Sequence, residues 1–323
     1  MIPNETLKNQ LKNTLDKTDF NLGKKFEGKV RDNYTFDGKR AIVVSDRISA
    51  FDRVLCTIPF KGQVLNQTAA FWFDETKDII QNHVLSVPDP NVTIGKECKP
   101  LAIEMVIRGY LTGVTTTSAW YNYEKGVRDF CGNKLPEGMK KDQKFDEPII
   151  TPSTKAEHGG HDESVSGEEI IKRGILSKEL YEEMAQAALK LFARGTELCA
   201  KNNLILVDTK YEFGLDENGK LTLIDEIHTP DSSRFWIKDT YEKLFSEGKE
   251  QQKLDKEYVR KWLADKGFLG DGEIPEITDE VKVEAAKRYI TAYEMITGKE
   301  FTVTEEDINE RIVNNLKKAG IEL

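Results

Sequence analysis

Alternating apolar and polar positions organise the first hundred residues. KVRDNYTF (Lys29 to Phe36) and KRAIVVSD (Lys39 to Asp46) read as two strands, and Asp37-Gly38 between them suits a two-residue hairpin turn. Ahead of them an amphipathic helix is expected over Glu5 to Lys17. A second helix is read over LNQTAAFWFDETKDII (Leu65 to Ile80), with Asn66 or Gln67 near its start, and Pro88 and Pro90 mark an exposed loop. KPLAIEMVIRGYL (Lys99 to Leu111) reads as a buried strand. A lobe junction is placed near Glu104 to Arg108, dividing the chain into 1–104 and 105–323.

Periodicity is lost over residues 124–168, and a non-periodic loop of that length is expected to be functional or disordered. A helix follows from Glu168 to Lys201, with Ser166 as its cap. Beyond Phe235 the chain is mostly helical, and AAKRYITAYEMITG is its clearest amphipathic stretch. There is no internal repeat and no low-complexity tract. The pattern predicts an α+β fold, two-lobed and built on antiparallel sheets.

Between these helical regions lies LVDTKYEFGLDENGKLTLIDEI (Leu206 to Ile227). Period two puts Val207, Thr209, Tyr211 and Phe213 on one face and Asp208, Lys210 and Glu212 on the other. A two-residue turn at Asn218-Gly219 pairs Glu217 with Lys220 and sets Glu212 opposite Asp225. A four-residue loop, DENG, leaves them diagonal on the same face. Opposed like charges cost a sheet on the order of 0.2–1 kcal/mol. Mg²⁺, which takes one or two carboxylates, relieves that cost. A structural salt cluster around Lys210 is the alternative.

Composition narrows the function. The chain has 323 residues, 38% hydrophobic and 32% charged, with a formal net charge of −9. That balance argues against broad nucleic-acid or acidic-membrane binding, but not against a small anion held by a local cationic cluster. No apolar run reaches the ~18 residues of a membrane helix. The N-terminal stretch has no secretory apolar core. Cys56, Cys98, Cys131 and Cys199 are widely spaced, as in a cytoplasmic protein with reduced thiols, so neither a disulfide framework nor a thiolate metal site is expected.

Three short motifs could face anions. EGKVRDNY carries Gly28, Lys29 and Arg31 on one strand face, without the spacing of a Walker A loop. SDRISAFDR offers Asp46, Arg47, Ser49 and Asp52, either for a ligand or as a capped turn with local ion pairs. HTPDSSRFW sets Asp231, Ser232 and Ser233 beside Arg234, suited to a phosphate or carboxylate, or to a helix N-cap. His158 and His161 lack a helical scaffold and a third ligand for zinc. His83 and His228 read as surface or structural residues. No Ser-His-Asp arrangement and no GxSxG motif is found.

In order from Gly28 to Trp236, the stretches GKVRDNY, SDRISAFD, IPFKGQVLNQ, EMVIRGYLTG, LPEG, ITPSTKAE followed by GGHDE, LVDTKYEFG and LIDEIHTPDSSRFW resemble the SAICAR synthetase family. The resemblance implies a fold related to ATP-grasp enzymes and protein kinases. It implies an ATP-dependent ligase of purine biosynthesis that joins L-aspartate to the carboxylate of carboxyaminoimidazole ribotide (CAIR), with Mg²⁺ and an acyl-phosphate route. Small-molecule partners follow, with the protein a monomer or small homo-oligomer. A small-molecule kinase and a nucleotide-sensing module are the competing readings.

The resemblance also implies residue roles. Lys29 and Arg31 would contact ATP phosphates, and Glu104 to Ile107, Val106 included, would be a hinge whose backbone holds adenine. Glu212 and Asp225 would ligate Mg²⁺, with Lys210 a substrate or phosphate contact. Arg108 and Arg234 would clamp the CAIR 5′-phosphate, with Asp208, Ser49 and Ser232 on the substrate side. Lys155, His161 and Asp162 would close over the substrates. One departure stands out. Many relatives have serine after the glycine of YLTG, whereas here Val114 is followed by Thr115, Thr116, Thr117 and Ser118, one of which could supply the hydroxyl. Acyl activation needs cations around a transferring phosphoryl group and no protein nucleophile, which agrees with finding none.

Overall fold

The computed structural model describes residues 2–51, 53–155, 163–254 and 257–323. One sheet of five strands has the order β1-β2-β3-β7-β6. These are β1 (Lys24–Glu27), β2 (Arg31–Phe36), β3 (Lys39–Val44), β6 (Val84–Asp89) and β7 (Val92–Lys96). Phe36 pairs with Lys39, leaving Asp37 (φ 47°) and Gly38 (φ 68°) as the two-residue turn expected there. Pro88 lies inside β6 rather than in a loop. β6 is an edge strand, where a missing N–H costs no ladder bond.

One face of this sheet (Tyr34, Ala41, Val43, Val92, Ile94) packs on α9 (Ile308–Lys318) through Ile308, Ile312 and Leu316. The opposite face, through Ile42 and Val44, meets α2 (Lys61–Glu75) and α8 (Asp279–Thr297). Helix α2 begins four residues earlier than the apolar pattern suggested, because Phe60 turns the chain with φ 64°. It ends at Glu75, where the Thr76 hydroxyl donates back to Trp72 O at 2.6 Å. The N-terminal helix is also shorter than expected. α1 (Asn4–Asn9) passes into a 3-10 turn that stops at Lys12, with Asn13 donating to Gln10 Oε1 and Glu306 O.

A second, seven-stranded sheet centres on β8 (Lys99–Leu111) and β14 (Leu204–Leu215). β15 (Leu221–Ile224) and β16 (Ser233–Ile237) extend β14, while β11 (Gln143–Ile150), β12 (Ser153–Thr154) and β13 (Glu163–Ser164) lie beyond β8. A two-stranded pair, β4 (Arg47–Ala50) and β5 (Arg53–Thr57), stands apart. The named pairs are all antiparallel, in keeping with the α+β reading. The junction set near Glu104–Arg108 falls inside β8.

The region 124–168, expected to be irregular, holds strands: β9 (Asp129–Phe130), β10 (Asn133–Lys134), β11, β12 and β13. Their partners are distant or their runs very short, so local alternation does not reveal them. With α3 (Ala119–Glu124) they enclose a satellite core of Leu111, Tyr123, Phe130, Leu135 and Phe145. The helix read as one from Glu168 to Lys201 is two. α4 (Gly167–Lys172) is capped as expected by Ser166, whose Oγ accepts from Glu169 N at 3.1 Å. Gly174 (φ 69°) breaks the chain, and Ser177 caps α5 (Lys178–Lys201). α5 buries Met184, Ala188, Leu191 and Phe192 against Ile103, Met105 and Ile107 of β8. The C-terminal region is helical, with α6 (Lys238–Ser246) and α7 (Glu257–Asp265) preceding α8, and Gly298 (φ 67°) closing α8.

Candidate active site

The Leu206–Ile227 hairpin has a different register from the one the turn residues suggested. Leu215 pairs with Leu221 and Glu212 with Ile224, so the loop is Asp216–Lys220. Asp216 closes it: Oδ1 accepts from Asn218 N at 3.0 Å and Lys220 N at 2.9 Å. Glu212 therefore does not stand opposite Asp225. Its partner on the other side is Glu104 of β8. Asp225 has left the ladder with φ 70°, and its carboxylate pairs with Arg31, which also reaches Glu226 at 2.7 Å.

Three cations serve this acidic group. Lys210 Nζ lies 2.9 Å from Glu104 Oε1 and 3.8 Å from Glu212 Oε1, and Lys155 pairs with Glu212. Burial, then the charge of Asp225, push the Glu212 carboxyl up against Lys210 and Lys155. Burial also works to raise Asp225, but Arg31 and Lys210 override it and hold it below the usual carboxylate range. Two partly buried, mutually interacting carboxylates with oxygen donors fit Mg²⁺, which completes its shell with water and phosphate. Among the described residues no group of three or more His, Cys, Asp or Glu could hold a metal.

Next to this group opens a polar cavity of about 280 Å³. Glu104, Val106, Arg108, Asp208, Lys210, Ser232 and Arg234 line it, all singled out in the sequence. Arg108 donates from Nε to Thr151 Oγ1 at 2.8 Å and from Nη2 to Thr117 O at 2.9 Å. Asp208 touches neither Lys210 nor a carboxylate. It pairs with Arg234, and Arg108 Nη1 lies 3.7 Å away. Asp231–Arg234 lead into strand β16, so they are not a helix N-cap. Thr115, Thr117 and Ser118 bring hydroxyls to the wall, with Ser118 Oγ and Thr115 Oγ1 2.7 Å apart, while Val114 is exposed.

Sequence reasoning missed Thr151, Ser153 and Arg260 as lining residues, whereas Asp231 and Ser233, marked in HTPDSSRFW, do join the wall. Arg260 belongs to α7, in a segment with no distinctive motif, so nothing in the sequence pointed to it. The two small hydroxyls on β12 and its approach were hidden in a stretch with no period.

Other expected residues lie elsewhere. Lys29 is exposed in the β1–β2 turn, where Gly28 N donates to Arg31 O at 2.8 Å, so Lys29 and Arg31 do not share a strand face. Ser49 sits in β4, away from the cavity wall. Asp46 and Arg47 are structural: Asp46 accepts from Leu15 N (2.7 Å) and Gly62 N (2.8 Å), and Arg47 Nη2 lies 2.8 Å from Asp32. The backbone of Glu104–Ile107 is paired to β14 on one edge and to β11 and β12 on the other. Both edges of this backbone are engaged in sheet pairing, and Glu104 and Val106 line the cavity. Asp52, His158, His161 and Asp162 lie outside the described residues. His83 and His228 are buried, and burial lowers them to about 4 and about 3. The four cysteines are free.

An α+β fold that sets carboxylates and lysines beside an arginine- and hydroxyl-lined cavity defines an ATP-dependent ligase, a class that needs charge neutralisation and positioning rather than a nucleophile. The family model for SAICAR synthetase matches residues 24–274, and the chain belongs to that family. It is 51% identical over 310 residues to the phosphoribosylaminoimidazole-succinocarboxamide synthase of Bacteroides thetaiotaomicron, covering 94% of this chain and 97% of that one. A Legionella pneumophila relative of the same description is 47% identical over 307 residues, 94% of this chain and 98% of its own. The SAICAR synthase of Saccharomyces cerevisiae, solved in complex with SAICAR, superposes with a TM-score of 0.78 at 31% identity, covering 90% of this chain and 100% of that one. The chain's function is the ligation of L-aspartate to CAIR in purine biosynthesis. No helix among the described residues is long and apolar enough to cross a membrane.

Proposed function

We propose that the two ends of the site divide the reaction between them. The acidic end, Glu212 and Asp225 with Arg31, Lys155 and Lys210, takes the ATP phosphates with Mg²⁺. The arginine end, Arg108 and Arg234 with Ser118, Thr115 and Ser232, takes the CAIR 5′-phosphate. The observation that carries this reading is Lys210, which lines the cavity and also lies within 4 Å of Glu104 and Glu212. It stands where the CAIR carboxylate and the γ-phosphoryl group would meet.

On this reading the CAIR carboxylate oxygen attacks the γ-phosphorus, the bond to the β-bridging oxygen breaks, and ADP leaves. The aspartate amine then attacks the acyl carbon and phosphate departs. Lys210 and Lys155 lie beside the transferring oxygens, and Arg31 exchanges Asp225 for a phosphate. The Arg108–Asp208–Arg234 group fixes the sugar phosphate, so that the carboxylate is presented at a set distance. Mg²⁺, when bound, supplies charge neutralisation of the phosphoryl oxygens. Thr115 and Ser118 stand in for the serine absent at Val114. The division at 1–104 and 105–323 and a cytoplasmic location belong to the same reading.

Arg234→Ala tests it. The KM for CAIR should rise at least ~10-fold with the KM for ATP within about twofold, since a charged hydrogen bond is worth roughly 1.5–3 kcal/mol. A rise in the ATP KM alone rejects the assignment of the two ends.

A further inference from the structure

Behind the cavity wall, side chains from distant parts of the chain meet at Asp231. Lys61, the first residue of α2, has a fully buried side chain whose Nζ lies 2.9 Å from Asp231 Oδ2. Tyr289 of α8 donates its hydroxyl to Asp231 Oδ1 at 2.7 Å, and its ring centre is 5.4 Å from the same ammonium. A fully buried ammonium is expensive, and an apolar replacement of such a pair is often no worse for stability. Stability alone is a poor reason for this arrangement.

What it holds is more informative. Asp231 lines the cavity, and the next three residues, Ser232, Ser233 and Arg234, line it too. Helix α2 is in turn fastened to the five-stranded sheet. Asn66 Nδ2 donates to Pro90 O at 3.0 Å and its Oδ1 accepts from Thr93 Oγ1 at 2.8 Å, while Gly62 N donates to Asp46 at 2.8 Å. Lys61 thus links the sheet that carries Arg31 to the loop that leads into β16 and Arg234.

We propose that Lys61 and Tyr289 are positioning residues for the sugar-phosphate end: they clamp Asp231 so that Ser232, Ser233 and Arg234 converge on the bound anion. The proposal rests on the assignment of Arg234 to the CAIR phosphate. Positioning of this kind has large leverage, because a displacement of about 1 Å can cost on the order of 10²-fold in rate.

The experiment measures KM for CAIR and for ATP, with the thermal midpoint, for Tyr289→Phe, Lys61→Met and Lys61→Arg, alone and combined with Arg234→Ala. Tyr289→Phe, which removes one oxygen, should fold normally, raise the CAIR KM ~10-fold and leave the ATP KM within about twofold. Lys61→Met should follow the same pattern, with partial rescue by Lys61→Arg. In the Arg234→Ala background Tyr289→Phe should add less than about twofold, because residues acting through one group are non-additive. A CAIR KM in Tyr289→Phe within twofold of wild type, or a penalty of equal size in both backgrounds, overturns the proposal. Should Lys61→Met fail to fold, Tyr289→Phe decides alone. If Arg234→Ala raises the CAIR KM and Tyr289→Phe does not, only the positioning role falls. If Arg234→Ala leaves the CAIR KM unchanged, the site assignment falls and the positioning role with it.

Discussion

Glu104 and Glu212 stand directly opposite one another on β8 and β14, the two central strands of the seven-stranded sheet. Facing carboxylates repel, and here both are largely buried. Lys210 answers the repulsion from the same face, bonded to Glu104 at 2.9 Å. Burial works to lower the Lys210 ammonium, yet Glu104 and then Glu212 override it, so it stays charged.

Lys210→Met removes the cation and leaves both carboxylates in place. It should lower both the thermal midpoint and turnover, the latter at least ~10-fold, as expected when a charge stabilising a transferring phosphoryl group is lost. Adding Glu104→Gln should recover much of the midpoint and none of the turnover. A single mutant with wild-type midpoint and turnover contradicts the arrangement.

Glu212→Gln and Asp225→Asn each keep shape and remove a charge from the acidic end. Turnover should fall at least ~10²-fold in each, since losing one electrostatic contact to a transition state costs roughly 3–4 kcal/mol. The Mg²⁺ concentration giving half-maximal rate should rise in parallel. Turnover close to wild type in both variants removes the metal assignment.

Much of this site was legible because the chemistry demands particular residue types close together in sequence. Asp208, Lys210 and Glu212 alternate on one strand, and Ser232 and Arg234 lie close together where the chain enters β16, so period and composition marked them, while their roles came from the family resemblance. The register was not legible. Asn218-Gly219 is a strong turn signal, but Asp216 captures two backbone N–H groups and closes a five-residue loop instead. A slip of one residue then reassigns every facing pair. Asp225 still reaches the acidic group because it adopts a left-handed conformation, which no pattern of polarity announces. The strands between residues 129 and 164 were missed for a related reason: they exist by pairing with β8 or with each other over two to eight residues.

The buried histidines predict acid sensitivity. Burial lowers His228 to about 3 and His83 to about 4, against about 6.5 when unfolded. The unfolded chain therefore binds more protons than the folded one below about pH 6.5, and stability falls as pH falls through that range. At pH 5 each histidine should cost roughly 2 kcal/mol relative to pH 8. Urea unfolding at pH 8, 6.5 and 5 checks this, with His228→Gln as comparison. The variant can be less stable at pH 8, where Tyr211 Oη loses its 2.6 Å contact with His228 Nε2, but its decline toward pH 5 should be shallower by about 2 kcal/mol. Equal slopes contradict the buried neutral state of His228.

Gly195 lies in the middle of α5, where intrinsic propensity favours alanine by about 1 kcal/mol. Space opposes it. A methyl group there would lie 2.5 Å from His228 Cε1 and 2.7 Å from Leu206 Cδ2. Leu206 has a methyl that can rotate, but the His228 ring is packed edge-on to Trp72, with ring centres 4.7 Å apart, and is held by the Tyr211 hydroxyl. Overpacking of this kind costs typically 1–3 kcal/mol, so it should exceed the propensity gain. Gly195→Ala is expected to lower the thermal midpoint by a few degrees. Because His228 immediately precedes the Thr229–Ser232 loop that leads to Arg234, the variant should also raise the CAIR KM while sparing that for ATP. A midpoint above wild type would show that the helix term wins and that the ring can yield, and an unchanged CAIR KM would show that the loop is insulated from it.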